Sequence, residues 1–234
     1  VILERDDVGA AWEARYDCLH LHTVRWLSGL PGYGIPRSYG KWPSRDRVVE
    51  YLRNYAVRHS LDVRTGRAVD RIDRTGAAWR VGVDGEVVRA ERVVVATGYS
   101  NVPYPPEWPG TFSGEVVHAA QYKTPDVMAG KRVLVVGAGN TGGDLAVEAA
   151  QNARAAVHST RRGYHYVPKF ILGRPSDQLG DKLHKLRLPL GLRRRIIGLC
   201  LKLVVGSPKR YKLPRPDHKL FETHPIINSL LVYY

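Results

Sequence analysis

A glycine-rich turn between a strand and a helix constrains the fold more than any other feature of this sequence. Apolar residues at 133–136 lead directly into residues 137–142, which read G-A-G-N-T-G, and an alanine-rich helical segment follows to Asn152. In a G-x-G-x-x-G turn the first glycine bends the chain tightly, the second admits a pyrophosphate and the third lets helix and strand pack closely. Residues 155–159 read as the next strand. The pattern predicts a dinucleotide-binding unit.

The end of that second strand indicates which dinucleotide is bound. An NAD site usually has Asp or Glu there to bind the ribose 2′-hydroxyl. This strand instead runs into Thr160, Arg161 and Arg162, with no acidic side chain nearby. Guanidinium groups bind phosphate in a bidentate manner, so the sequence favours NADP(H). A solvated basic loop is the alternative.

Two other segments point to a second nucleotide site. Val1–Leu3 reads as a short strand followed by Glu4, the place where a dinucleotide fold has its ribose-binding acid. The β-branched run 93–96 leads into Thr97 and Gly98, and a strand ending Ala-Thr-Gly is typical of flavoproteins that bind two dinucleotides. Together they imply a flavin besides NADPH. We expect the glycine loop of this first fold to precede Val1.

The remaining local patterns predict an α/β protein. Residues 45–60 have helical apolar spacing with Ser44 as N-cap. Residues 61–73 and 79–90 alternate in polarity, with glycines at the intervening turns, and predict antiparallel strands. The stretch 102–110 holds four prolines and predicts an extended connection. Beyond Gly163 the pattern degrades, and the sequence there predicts no definite element.

Charge is concentrated in the last third of the chain. The net charge is +14, and residues 154–234 hold 17 Lys or Arg against four Asp or Glu. We interpret the basic segment 183–219 as the solvated face of a substrate-capping insert. Contact with an anionic membrane is the alternative, since basic amphipathic helices bind such surfaces. No nucleic-acid motif is present, so no nucleic-acid partner is expected.

Cysteine and hydropathy patterns exclude other classes of protein. Cys18 and Cys200 are too few for a disulfide framework and too far apart in sequence for a CxxC or zinc pair, so no metal site is predicted. The apolar stretch 196–205 is shorter than the roughly 18 residues of a spanning helix. No signal peptide opens the chain. The expected location is cytoplasmic.

Residues 112–122, F-S-G-E-V-V-H-A-A-Q-Y, carry the most specific resemblance. They are similar to the fingerprint F-x-G-x-x-x-H-x-x-x-Y/F of the flavin-containing monooxygenase family, in its bacterial and plant YUCCA-like branches. Tyr122-Lys123 stands where Baeyer–Villiger relatives have Trp followed by Pro or Asp, which favours N- or S-oxygenation. The resemblance implies that Phe112 and His118 form a hinge between two domains, with a structural role for His118 as the alternative.

The resemblance also implies a fold and an activity. The fold is a two-dinucleotide-binding-domain flavoprotein with Rossmann-like FAD and NADPH domains, at 1–127 and 128–234, truncated at both ends. In the family, NADPH reduces FAD, and the reduced flavin reacts with O2 to give a C4a-hydroperoxide that transfers one oxygen atom to a small organic substrate, by N-, S- or carbonyl oxygenation. A non-oxygenating NADPH-dependent flavin oxidoreductase and a non-catalytic NADP-binding protein are the alternatives.

The resemblance also implies which residues bind the two cofactors. The FAD site is expected at Glu4, Ala11, Trp12, Thr23, Val69, Ala96, Thr97 and Gly98. The NADP(H) site is expected at Gly137, Gly139, Asn140, Thr141, Gly142, Gly143, Asp144, Arg161 and Arg162. Many members carry a Thr-Asn pair near the flavin, but this chain reads His22-Thr23-Val24 there. No catalytic residue is therefore assigned.

Overall fold

The computed structural model describes residues 1–98, 102–211, 213–223 and 225–227. Its helices are α1 (Ala10–Glu13), α2 (Arg25–Ser28), α3 (Arg45–Arg58), α4 (Asn140–Asn152), α5 (Ser176–Lys185) and α6 (Leu190–Val204). Its strands are β1 (Ile2–Leu3), β2 (Val63–Arg64), β3 (Val69–Thr75), β4 (Ala78–Val83), β5 (Glu86–Ala90), β6 (Arg132–Val136), β7 (Ala155–Ser159), β8 (Tyr166–Val167), β9 (Phe170–Ile171), β10 (Arg174–Pro175) and β11 (Ile226–Ile227). Short 3-10 turns occupy Arg37–Tyr39, Pro125–Met128 and Pro208–Tyr211.

The described chain divides into two compact units. Unit 1 comprises Val1–His20 and Gly29–Tyr122. Unit 2 comprises Leu21–Ser28 and Lys123–Tyr234. The segment at 21–28 therefore packs with the C-terminal part of the chain, although it lies far from that part in sequence.

In unit 1, β1 and β2 form a parallel pair with α3 in the connection between them. Ile2 lies opposite Val63, and the Glu4 amide continues the pairing by donating to the Arg64 carbonyl at 3.0 Å. The predicted helix is confirmed, with Ser44 Oγ accepting from the Arg47 amide at its N-terminus. Parallel strands need such a crossover because their connection must return to the starting edge. Glu4 thus stands at the carboxyl end of a parallel strand.

The polarity alternation after residue 66 forms an antiparallel meander in the order β3-β4-β5. Gly76 and Gly85 have φ of +63° and +83° at its two turns, as their positions predicted. One part of the prediction was wrong, because β2 pairs in parallel with β1 instead of joining the meander. Alternation alone does not distinguish these outcomes, since the orientation of a strand depends on its partner.

The predicted strand at 93–96 does not form among the described residues. Within the described chain no strand pairs with this run, and Val94 and Val95 are 88% and 67% exposed. An apolar β-branched run becomes a strand only where a neighbouring strand accepts its backbone hydrogen bonds.

Unit 2 contains the predicted strand–helix–strand unit. β6 and β7 are parallel and in register, with Arg132 opposite Ala155 and Val136 opposite Ser159, and α4 connects them. Leu145, Ala146, Val147 and Ala149 form the buried face of α4. The continuous apolar run of β6 predicts a buried strand, but the structure differs: Val135 is buried, whereas Leu134 and Val136 are more than half exposed. This pair has no further strand neighbour in the described chain.

The chain beyond Gly163, for which the sequence predicted no definite element, forms two helices and several short strands. Helices α5 and α6 meet at a small core of Leu183, Ile197 and Leu220. Short strand pairs flank this core, β9 with β10 and β8 with β11. Among the described residues, no helix combines the length and apolar character that crossing a bilayer would require.

Candidate dinucleotide-binding site

The glycine loop joins the carboxyl end of β6 to the N-terminus of α4. Gly137 has φ of +112°, a left-handed conformation that favours glycine. Its amide donates to the Ser159 carbonyl at 3.0 Å, and its carbonyl oxygen lies 2.7 Å from His158 Nε2. The start of the loop is therefore attached to the end of the neighbouring strand.

The other two glycines of the motif differ in their surroundings. A Cβ added to Gly139 would meet no heavy atom within 4 Å, so the space beside its backbone is open. A Cβ added to Gly142 would overlap the carbonyl oxygen of Gly137 and lie 3.0 Å from its carbonyl carbon. Gly139 leaves room for a ligand, and Gly142 permits close packing of helix and strand.

The N-terminus of α4 can bind an anion. Gly139 is the N-cap residue and supplies no side-chain hydrogen bond to the first turn. Helix N-termini leave amide hydrogens unpaired and carry a partial positive charge. An open glycine turn before such a terminus is the arrangement that holds phosphate groups. The two observations, the open cradle and the uncapped terminus, fit a pyrophosphate.

The remaining residues expected on this helix have different environments. Thr141 is exposed at the loop, whereas Gly143 is buried against the strands. Asn140 uses its side chain inside the protein: Oδ1 accepts from the Ile227 amide at 2.9 Å and so holds β11 beside α4. Asp144 lies one turn further along and acts electrostatically on His22.

His22 is a neighbour of this helix that sequence reasoning missed. Burial lowers the pKa of its imidazole most strongly, the charge of Lys169 lowers it further, and Asp144 together with a backbone hydrogen bond to Ile227 raises it. Its Nδ1 is shielded from solvent and has no hydrogen-bond partner in the described part of the chain. No pattern in the sequence singled out His22.

The segment containing His22 is held in unit 2 by an acidic side chain. Asp177 Oδ2 accepts from the Val24 amide at 2.6 Å, a contact across 153 residues, and Val24 is fully buried. Thr23, expected at the FAD site, is exposed in this segment, with Oγ1 2.6 Å from Ser28 Oγ. Thr23 therefore belongs to a different compact unit from Glu4, Ala11 and Trp12.

The two arginines after β7 occupy unlike positions. Arg161 is exposed, and its side chain makes no hydrogen bond or ion pair with the described residues. Arg162 is partly shielded, lies over the ring of Tyr164 and faces Asp217 at 3.6 Å. The two side chains that the sequence treats as a pair are thus not equivalent.

Several residues expected at the second nucleotide site lie in unit 1. Glu4 follows β1, and its Oε1 accepts from the Asp6 amide at 3.0 Å. An open concavity beside it is lined in part by Asp6, Ala10 and Gly66. Ala11 and Trp12 lie on α1, which the left-handed Gly9 (φ +89°) brings close to Val49 of α3.

The other unit 1 candidates lie at the start of β3 and on the unpaired segment 96–98. Val69 is the first residue of β3, and a bulge separates it from Arg71. Ala96, Thr97 and Gly98 are exposed on the unpaired segment, where Gly98 has φ of +74°. Tyr99, which follows Gly98 in the A-T-G-Y run that resembles the family, lies outside the described residues.

The fingerprint residues make local contacts, although residues 112–117 are exposed. The ring of Phe112 occupies the space that a Cβ on Gly114 would need. His118 Nδ1 accepts from the Ala120 amide at 3.2 Å. Tyr122, which is 4% exposed, packs against Tyr16 at the end of unit 1. These contacts explain why the motif requires F-x-G and a terminal aromatic residue; the hinge role stays a prediction.

Known proteins with similar features agree with this architecture. Residues 35–168 match the family model described as pyridine nucleotide-disulphide oxidoreductase. The probable indole-3-pyruvate monooxygenase YUCCA9 of Arabidopsis thaliana is 34% identical over 228 residues, which are 93% of this chain and 54% of that protein. The chain thus spans about half the length of the curated relatives it matches.

Solved structures show the same fold. A flavin-containing monooxygenase from Stenotrophomonas maltophilia superimposes with a TM-score of 0.70 at 30% identity, over 77% of this chain and 55% of that one. The structure of OTEMO in complex with FAD and NADP matches 99% of this chain and 58% of that chain, with a TM-score of 0.69. At 19% identity this second likeness concerns the fold alone.

The fold and the glycine loop define a Rossmann-type nucleotide-binding oxidoreductase with two dinucleotide-binding domains, which confirms the predicted fold class. More particularly, the chain belongs to the pyridine nucleotide-disulphide oxidoreductase family. The predicted resemblance to flavin monooxygenases is also confirmed by these relatives.

Proposed function

We propose that this chain forms the central part of an FAD- and NADPH-dependent monooxygenase that transfers one oxygen atom from O2 to a small organic substrate. The observation that carries the proposal is the open glycine cradle at the N-terminus of α4. The similarity to named monooxygenases supports the oxygenase chemistry, and the pyridine nucleotide family together with the flavin-containing structural relative supports the cofactor pair.

In this proposal the unit 2 residues hold NADP(H). Backbone amides at Gly139, Asn140 and Thr141 bind the pyrophosphate, while Gly137 and Gly142 shape the turn. Gly143 and Asp144 support the first turns of α4, and Asn140 also keeps β11 in place. The basic residues after β7 supply positive charge for the 2′-phosphate. These roles follow from the open backbone and the helix dipole.

The unit 1 residues form part of the FAD site. Glu4 binds a ribose hydroxyl at the carboxyl end of β1, and Val69 meets the adenine through its backbone. Ala11, Trp12 and the segment 96–98 line the same cofactor. FAD, when bound, accepts hydride from NADPH and activates O2. The protein positions the two cofactors and excludes water from the reacting atoms.

The substrate class is the finer part of the proposal. Relatives named as indole-3-pyruvate monooxygenases make an aryl 2-oxo acid a natural test substrate. The sequence favours N- or S-oxygenation over Baeyer–Villiger chemistry, so a tertiary amine and a thioether complete the panel. The cytoplasmic location expected from the sequence stays a prediction.

The test is NADPH-dependent oxygenation by the purified protein carrying its flavin. We expect visible flavin absorbance, NADPH-dependent O2 consumption and incorporation of one oxygen atom from 18O2 into a substrate of the panel. NADPH oxidation that yields only reduced oxygen species, with no substrate in the panel labelled, would favour a non-oxygenating flavin oxidoreductase. Absence of both flavin and turnover, with NADP still bound, would favour a non-catalytic NADP-binding protein.

Disulfide reduction, which the name of the family also covers, is a less favoured reaction for this chain than oxygenation. Cys18 and Cys200 are both free thiols, and neither belongs to a CxxC pair. Thiol–disulfide exchange needs an attacking and a resolving sulfur. Turnover of a disulfide substrate that survives replacement of both cysteines by Ser would exclude protein thiols from the reaction.

We also propose peripheral contact between α6 and an anionic membrane surface. Leu192, Leu199 and Leu203 are exposed along one stripe of the helix, with Arg195 and Lys202 beside them. This pattern is typical of interfacial helices. We expect co-sedimentation with phosphatidylserine vesicles at low salt, weakened by Leu199→Asp. Failure to bind would favour the interpretation drawn first from the sequence, a substrate-capping insert.

A further inference from the structure

The backbone of Ile227 connects the glycine loop to the segment that carries His22. Its amide donates to Asn140 Oδ1 at 2.9 Å, and Asn140 is the first residue of α4. A backbone hydrogen bond also joins Ile227 to the His22 imidazole and raises the pKa of that ring. Because a hydrogen bond that raises a histidine pKa is donated by the ring, the acceptor is the Ile227 carbonyl. Ile227 is therefore held on both sides of its backbone.

The two ring nitrogens of His22 have different surroundings. Nδ1 is shielded from solvent and has no hydrogen-bond partner in the described part of the chain, so the bond to Ile227 is made by Nε2. A neutral ring with its proton on Nε2 satisfies this arrangement. Protonation would place an N–H group at Nδ1 where neither water nor an acceptor meets it, and burial of such a charged donor is unfavourable.

Charged groups reach His22 from two neighbouring parts of unit 2. Asp144, one turn after Asn140 on α4, raises the pKa of the ring, whereas Lys169, between β8 and β9, lowers it. Burial is the largest cause and also lowers the pKa. The two charges act in opposite directions, so burial leaves the neutral ring favoured.

A second attachment holds the same segment in place. Val24 is fully buried, and its amide donates to Asp177 Oδ2 at 2.6 Å. The other oxygen of Asp177, on α5, accepts from the Gln178 amide at 2.8 Å. With Val24 fixed two residues away, His22 cannot turn Nδ1 toward water unless the segment leaves its position. Protonation of His22 should therefore be accompanied by release of Ile227.

We propose that His22 is a positioning residue for the dinucleotide loop: its neutral form holds Ile227, and through it Asn140, in the arrangement that binds a pyrophosphate. Protonation of His22 releases this arrangement and weakens binding. The inference rests on the proposed dinucleotide site and adds a control of that site by pH. A purely electrostatic role for His22 would have the opposite sign, because an imidazolium near the loop attracts an anion.

The first test measures the dissociation constant of ADP-ribose for the purified protein by calorimetry at pH 7.5 and pH 5.5. ADP-ribose contains the pyrophosphate but no phosphate monoester, so its own charge is the same at both values. We expect binding about 3- to 10-fold weaker at pH 5.5, the upper value being the limit for a histidine with a pKa of about 6.5 in the released state. Equal affinity, or tighter binding at pH 5.5, would overturn the proposal.

Three variants assign this pH dependence to one histidine. His22→Ala removes the donor to Ile227 and should weaken binding about 3- to 10-fold at pH 7.5. His22→Gln keeps an amide donor that does not titrate, so it should restore most of that affinity and lose the pH dependence. His158 Nε2 lies 2.7 Å from the Gly137 carbonyl oxygen at the same loop, and His158→Gln is the control. It should keep the wild-type ratio of affinities between the two pH values; loss of the ratio there, and not in His22→Gln, would overturn the assignment.

A double-mutant cycle tests the connection through Ile227 without a ligand. His22→Ala and Asn140→Ala should each lower the melting temperature by about 2–4 °C, and the double variant should lose less than the sum, because both act through Ile227. Additive losses would overturn the connection. Failure of ADP-ribose to bind at either pH would refute the proposed dinucleotide site and the role of His22 in it. Binding that does not depend on pH would refute the role of His22 alone.

Discussion

Replacing Gly142 with Ala tests whether the third glycine serves helix–strand packing. The added Cβ would overlap the Gly137 carbonyl oxygen and lie 3.0 Å from the carbonyl carbon. Both obstructing atoms are backbone, so the clash cannot be relieved by a change of rotamer. The Gly137 peptide would have to move, and its hydrogen bonds with Ser159 and His158 would be strained.

The size of the effect follows from three contributions. Overpacking of a tight contact costs about 1–3 kcal/mol. Weakening of the Gly137 hydrogen bonds adds about 1 kcal/mol, while the better helix propensity of Ala offsets about 1 kcal/mol. The net loss in unfolding free energy is about 2 kcal/mol, which corresponds to a melting temperature about 4–8 °C lower.

The assay is thermal unfolding followed by circular dichroism, with two alanine controls. Gly198 lies inside α6 with no heavy atom within 4 Å of an added Cβ, so Gly198→Ala should raise the melting temperature slightly. Gly139→Ala should lower it less than Gly142→Ala does, because its surroundings are open, yet weaken NADP binding. If Gly142→Ala melts at or above the wild-type temperature, the packing argument is wrong.

Three further predictions concern stability. Because burial lowers the pKa of His22, the free energy of unfolding should decrease as the pH falls below the ordinary histidine pKa of about 6.5. The urea midpoints measured at pH 7.5 and pH 5.5 should therefore differ less in His22→Gln than in the wild type. An equal difference in both proteins would contradict the role of His22. Ser44→Ala should cost about 0.5–1 kcal/mol in urea unfolding, since the N-cap bond to the Arg47 amide is long at 3.4 Å; no measurable loss would mean that the cap contributes nothing. Ile226 is 1% exposed, so Ile226→Ala should cost about 2–5 kcal/mol; a loss below 1 kcal/mol would show that the site is loosely packed.

Elements built from contacts between near neighbours could be predicted closely. The helix bounded by Asn140 and Asn152 and the strand 155–159 match the structure residue for residue. The glycine turns at 76 and 85 and the cap at Ser44 were also found from sequence. In each case a few adjacent residues supply the decisive interaction, a positive φ, a side-chain cap or a helical apolar face.

Elements that depend on distant partners were predicted less well. The run at 93–96 has strand composition but no paired neighbour among the described residues. The pairing of β11 with β8 joins residues 60 positions apart, and no local pattern announces it. The helices beyond Gly163 were missed because basic residues interrupt their apolar spacing. Their core also needs Leu220, which comes after both helices in the sequence and packs with Leu183 and Ile197.

The sequence by itself determined that a strand, a G-x-G-x-x-G turn and a helix would form an anion-binding cradle at residues 132–152, because glycine geometry and helix periodicity act locally. Only the tertiary structure decided which candidate side chains are available at that site. Asn140 is engaged with Ile227, and Arg162 is held by Asp217, while Arg161 is exposed. These partners lie 55 to 87 residues away, so chain folding, and not residue type, distinguishes an exposed arginine from an anchored one.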